Sequence, residues 1–291
     1  MKKLFLSAAF LSLVASQAYA ADLPLIKSAP VSTPALIWTG AYVGLNADGN
    51  WENINSTAVS IWPTKDLSGY WTTASLLAGG IPTRGASGFI GGGQAGYNWQ
   101  RSLSGIGLVL GLETDIQGIA GSSGHGNRPM TNLILTFSGH NQFSTYSSSS
   151  ADSSLSYVGT ARARIGFLIK PEVMIYGSGG FAYGQGSLSL SQFQQFGAAV
   201  GWSYSNTPST LVGWSVGGGA EWMFLPNWSA KAEYIYYDLG NISTQNQFIA
   251  YGGLGAQWTY GSYATQQIDG NIIRAGVNYH LSFGLDPVVA K

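Results

Sequence analysis

The chain contains no cysteine, which removes disulfides, thiolate catalysis and cysteine-bound metals from consideration. It is also short of charge. Asp, Glu, Lys and Arg make up 9% of its 291 residues, against about 25% in an ordinary soluble domain. The 13 bases and 13 acids cancel, so no basic patch for nucleic acid stands out. Long hydrophobic runs are missing too: beyond residue 20 nothing approaches the roughly 18 apolar residues that a spanning helix needs. A surface this poor in charge is hard to keep in water. Something other than water must face it.

What is there begins with "MKKLFLSAAFLSLVASQAYA". Lys2 and Lys3, an apolar run from Leu4 to Ala15 and the small-x-small site Ala18-Tyr19-Ala20 predict a cleaved signal peptide over 1–20 and export by the Sec route. Residues 21–37, with Pro24, Pro30 and Pro34, predict an extended periplasmic leader. Glycine (41 residues) and aromatics (13%) are both abundant. With 45% hydrophobic residues, a disordered Gly-rich chain is excluded.

From Trp38 the sequence alternates. In "WTGAYVGLNADGNWEN", Ala41, Val43, Leu45 and Ala47 share one parity, and Tyr42, Asn46 and Asp48 the other. This is the signature of a strand with two unlike faces. Seven further segments behave alike, near 86–100, 106–118, 154–169, 172–185, 211–224, 228–239 and 268–283. Leu155, Tyr157, Ala161, Ala163, Ile165, Phe167 and Ile169 form the apolar parity of the fourth. The connections at 101–105, 170–171 and 225–227 are tight, whereas those near 51–85, 119–153, 186–210 and 240–267 are long and rich in Ser, Gly, Asn and Gln. An even strand number with short turns at one end and long loops at the other is the plan of outer-membrane barrels.

The charges sort by face. Glu113, Asp115, Arg162, Arg164, Glu221, Lys231, Glu233 and Arg274 all fall opposite the apolar parity of their segments. A Lys or Arg facing lipid at mid-bilayer costs about 2–4 kcal/mol, so their one-sided placement assigns the apolar parity to lipid. The sequence therefore predicts an all-β protein: an eight-stranded antiparallel up-and-down transmembrane β-barrel over 38–283, followed by a tail over 284–291. The eight charges form an internal ion-pair network in a lumen just wide enough for side chains, with Asp48 a candidate at its outer end. A soluble lipocalin-like barrel, apolar inside, is the alternative that alternation alone leaves open. Low charge, sorted loops and aromatics near strand ends (Trp99, Tyr157, Trp228, Tyr279) oppose it.

"ADLP", then "WTGAYVGLNADGNW", "YVGTARARIGFLI", "VMIYGSGGFAYG", "VGWSVGGGAEW", "NWSAKAEYIYYDLG" and "NIIRAGVNYHL" occur in order. As a set they resemble the alphaproteobacterial outer-membrane surface-protein family that includes RopB and the haemin-binding proteins. The resemblance implies an OmpA-like eight-stranded barrel in the cell outer membrane, often labelled porin family, with roles in envelope integrity, surface antigenicity and sometimes haemin binding. Outer-membrane lipid, lipopolysaccharide and the barrel assembly machinery are the partners it implies. The end "GLDPVVAK" departs from the usual aromatic last residue, since Lys291 occupies that place.

Chemistry is sparse. His125 and His140 share one loop without the i, i+2 or i, i+4 spacing of a metal site. They are the candidate ligands if haemin binds; otherwise they are surface residues. His280 falls on the lumen parity. No strand-borne His stands near the outer rim where a lipid-modifying barrel enzyme would need one, so no enzyme is expected. "GGGQAG" at 91–96 mimics a phosphate loop, but no helix follows it. Three functions remain: a structural surface barrel, a small porin-like channel, and a haemin receptor or adhesin acting through the loops.

Overall fold

The computed structural model describes residues 38–53, 55–63, 77–85, 87–103, 106–121, 123–137, 141–196, 199–251 and 257–281. The predicted signal peptide, the leader, the tail and His140 lie outside the described residues. The strands are β1 (Gly40–Glu52), β2 (Ser56–Pro63), β3 (Gly79–Pro82), β4 (Ser87–Leu103), β5 (Ile106–Gly121), β6 (Gly124–Phe137), β7 (Asn141–Lys170), β8 (Val173–Phe196), β9 (Ala199–Leu225), β10 (Trp228–Tyr251) and β11 (Gln257–Leu281). Eight of them close a ring in the order β1-β4-β5-β7-β8-β9-β10-β11, with β11 pairing back onto β1 from Ala41↔Leu281 to Glu52↔Gly270. Every pairing is antiparallel. Closure leaves no edge in the ring, which is what allows strands to cross a bilayer with every backbone group paired.

The remaining three strands prolong the wall upward. β2 pairs with β11, and β3 with β2 (Ser56↔Pro82), just beyond the Trp51↔Ser87 pair of β1 and β4. β6 takes over from β5 beside β7, starting at Gly124↔Ser153. A Thr83–Gly126 bridge ties the β3 end to β6. The segments expected as external loops are therefore largely strand, and β7 runs for 30 residues. At about 3.3 Å per residue that is about 100 Å of strand, several times the 9–11 residues needed to cross a bilayer. The excess stands above the membrane.

Inside the membrane band the alternation holds. Val43, Leu45, Leu110, Leu112, Ile165, Val212, Trp222 and Ile273 are exposed, while the charged parity is buried. One expectation is overturned. Leu155, placed with Tyr157 on the lipid side, is 7% exposed and packs in the lumen with Val158 and Leu188. The β7–β8 register shifts between Leu155 and Tyr157. A β-bulge inserts one residue and reverses the facing of everything beyond it.

The polar-parity glycines keep the lumen passable for large side chains. A Cβ at Gly96 would lie 2.2 Å from the Tyr42 hydroxyl, and one at Gly111 would lie 2.8 Å from Arg164 Cγ. Both positions are space given over to a neighbour that belongs to the charge cluster.

Candidate functional site: the filled lumen

Each charged residue singled out by parity is buried in the lumen, with exposures of 1–5%. Arg162 on β7 is the hub. Its guanidinium donates to Glu233 Oε1 (2.6 Å), Glu113 Oε1 (2.9 Å) and Asp115 Oδ2 (3.3 Å), and also to Thr160 and Ser178 hydroxyls. Lys231 Nζ donates to both Glu113 oxygens at 2.8 and 2.9 Å and lies 3.5 Å from Glu233. Arg274 grips Asp115 with two nitrogens (3.1 and 3.2 Å) and reaches Asp48 Oδ2 at 3.1 Å. Arg164 reaches Glu221 at 3.1 Å and Glu113 at 3.4 Å, with its guanidinium over the Tyr42 and Tyr176 rings.

The ring order brings these residues together. β5 and β7 are neighbours, so Glu113 pairs in register with Arg162, and β10 meets β11 at Glu233↔Arg274. Other contacts cross the lumen, as from Arg162 to Glu233 and from Lys231 to Glu113. Burying unpaired ions would cost several kcal/mol apiece, and here every base has at least two acidic partners. Asp48 makes a fifth acid beside Glu113, Asp115, Glu221 and Glu233.

Neutral partners complete the cluster, and sequence reasoning passed over them. Asn98 Oδ1 accepts from Arg164, the Tyr42 hydroxyl donates to Glu113 at 2.7 Å, and Asn278 and Ser229 donate to Glu221. Their signal was available: all share the parity of the charges. His280 is 6% exposed, 2.9 Å from Ser229 Oγ, and packs edge-on against Trp38.

The cluster is sandwiched. Below it lie Trp38, Val109, Met174, Tyr176 and Met223, and Trp38 is pinned through its indole N–H to the Pro171 carbonyl at 2.9 Å. Above it lies an apolar layer that includes Ile90, Val158, Ala182, Ile235, Tyr237 and Ile272, all 0–1% exposed. That layer was not expected in a lumen read as polar. Higher still the inner face turns to hydroxyls and amides, among them Ser147, Ser149, Gln192 and Gln266.

His125 stands elsewhere, on β6 in the projecting wall. Its Nδ1 contacts Asp152 on β7, and the two side chains are 62% and 46% exposed. Among the described residues no cluster of three or more His, Asp or Glu is placed to hold a metal ion.

A closed antiparallel ring with an apolar outer skin and ions inside is an integral β-barrel of a bacterial outer membrane. The chain belongs to the outer membrane protein beta-barrel domain family, whose profile matches residues 6–280. It is 30% identical over 290 residues to the 31 kDa outer-membrane immunogenic protein of Brucella melitensis, covering 96% of this chain and 99% of that one. The protein of the same name from Brucella suis matches to the same extent. Solved structures similar to it include Neisserial surface protein A (16% identity, 84% of this chain and 98% of that one, TM-score 0.31). Another is Ail, the attachment invasion locus protein of Yersinia pestis (12% identity, 81% and 99%, TM-score 0.29).

Proposed function

We propose that this outer-membrane protein is a structural surface barrel. Its lumen is plugged by the charge cluster, and its projecting wall is what the surroundings, antibodies included, meet. The observation that carries the reading is the fill. Nine ionised side chains from Asp48 to Arg274 interlock across the lumen, between two apolar layers whose members are almost fully buried. Such a fill favours a lumen closed to ions over an open water path. Lipid and lipopolysaccharide cover the skin, and the barrel assembly machinery is the expected partner during insertion. In planar bilayers the purified protein should give no stable single-channel steps. Regular conductance steps from protein free of other porins would overturn the plug and favour the small-channel reading.

For a haemin-binding role His125 is the described candidate ligand, His140 lying outside the described residues. With Asp152 on its Nδ1, the exposed His125 ring can present Nε2 outward, the arrangement by which a carboxylate orients a ligating imidazole. If that reading holds, His125→Ala should weaken a haemin titration followed by its absorption shift about tenfold or more. Superimposable curves would remove His125 from the idea.

A further inference from the structure

The exposed aromatics above the membrane are not explained by lipid. Above Phe181 and Trp214 in the lipid-facing band, the outward Tyr183 of β8 belongs with Tyr157 on β7 to the upper aromatic girdle. Phe193 follows ten residues later, about 33 Å further along the strand and about 25 Å higher at the usual tilt. There Phe193 pairs across to Trp202 and Ser191 to Tyr204 on β9. Trp202 is 75% exposed and Tyr204 63%. Large aromatics left in water on a polar wall, beyond the reach of lipid, mark a contact surface.

The surroundings of those rings have a definite chemistry. Ser148, Ser150 and Asn127 continue the same two cross-strand rows onto β7 and β6. With the aromatics they line an open hollow of about 320 Å³. A second hollow of about 220 Å³ lies on the other side of Trp202, against Gln247 and Ile249. No charged side chain lines either one. Flat rings offer a π-face to polarised C–H groups, and serine hydroxyls and the amides both donate and accept. A pyranose has that complement: a C–H face and a rim of hydroxyls. Phosphate, sulfate or a charged peptide would find no opposite charge in either lining.

We infer that this face of β7, β8 and β9 is a saccharide platform, and that its occupant is the sugar chain of the lipopolysaccharide surrounding the barrel. The inference rests on the projecting-wall reading above and deepens it. Two features favour that source. The platform stands on the same outward wall, above the lipid-facing skin, so the sugars of the outer leaflet rise alongside it. Its hollows are open and small, too little to capture a dilute ligand, but sufficient for one held beside it at high effective concentration.

The test uses the full-length barrel in nanodiscs of defined phospholipid without lipopolysaccharide. The probe is the deacylated, lipid-free polysaccharide of alphaproteobacterial lipopolysaccharide, followed by saturation-transfer NMR and calorimetry. The wild type should bind it saturably, and Trp202→Ala/Tyr204→Ala should weaken binding about tenfold or more. Trp202→Phe, which keeps a ring, and Trp214→Ala, within the lipid-facing band, should stay within about threefold of wild type. Equal binding by the double variant, or no binding by the wild type, would overturn the platform. Tighter binding of an unrelated neutral glycan or of a protein would overturn the assigned occupant. The gel shift between unboiled and boiled samples checks the barrel itself: its loss in the wild type would sink the barrel reading, whereas its retention in a non-binding wild type isolates the failure to the platform.

Discussion

Arg162→Leu should destabilise the barrel by about 3–5 kcal/mol, the range found when one partner of a buried ion pair is removed. The residue is 2% exposed and donates to three carboxylates, Glu113 and Asp115 on β5 and Glu233 on β10. Leucine fills much of the volume but supplies no donor. Lys231 still serves Glu113 and Glu233, and Arg274 still serves Asp115. The local balance nevertheless falls from four bases against five acids to three against five. Repulsion among carboxylates a few ångströms apart, in a lumen walled from water by apolar layers above and below, is weakly screened. Urea titration in detergent, read by the shift between unboiled and boiled gel mobility, should show a lower midpoint. A companion change, Arg162→Lys, keeps the charge but loses the fork that reaches two carboxylates at once, and should fall between wild type and Leu. A midpoint for Leu within error of wild type would remove the cluster from any role in holding the barrel closed.

The membrane-embedded half of this fold is legible in the sequence because lipid imposes one rule on every strand. A charge cannot face outward, so Glu113, Arg162, Lys231 and Arg274 each announce the phase of their own strand. The lower strand ends were readable for the same reason, at "KP" (170–171) and "LPN" (225–227). Above the membrane the rule lapses. "STYSSSSADSS" (144–154) carries no apolar alternation because one face of that wall meets water and the other a hydroxyl-lined interior. It nonetheless pairs strand to strand.

Where alternation returns, its sense is reversed: Leu188 and Leu190 point inward, with Ser189 between them and Ser187 and Ser191 on either side. The soluble-barrel alternative thus describes the upper half of the molecule, and the membrane barrel the lower half. The bulge at Leu155–Tyr157 sits near the changeover. A bulge has no residue signature strong enough to read from one chain, and that is why alternation alone places Leu155 on the lipid side. The ion pairing itself went beyond parity, because which carboxylate meets which base depends on strand order and on contacts across the lumen.

The sharpest separation of the two faces lies one residue from the hub. Ala161→Arg should cost about 2–4 kcal/mol, the depth-dependent cost of Arg at the mid-plane of a barrel's lipid face, and should lower the yield of inserted protein. Ala161 lies about midway between the Phe167 and Tyr157 levels of β7, and in register with Thr114 on β5 and Phe181 on β8. It opens into an outward depression shared with Ala95, Leu112, Thr114 and Ala163. The only outward polar side chain among those is the Thr114 hydroxyl, already donating to the Thr160 carbonyl. Glu113 and Arg162 also border the depression, but their side chains turn into the lumen and are spent on one another there. A snorkelling Arg would have to climb about 12 Å, half of a band about 25 Å tall, which exceeds the reach of its side chain. Arginine is therefore required at 162 and excluded at 161 for the same reason: neighbouring residues of a strand face opposite media. Folding both variants into lipid vesicles and scoring the folded fraction should show Ala161→Arg failing at insertion. Arg162→Leu should insert and then unfold early in urea. Normal insertion and stability of Ala161→Arg would mean that the exposed apolar parity does not face lipid.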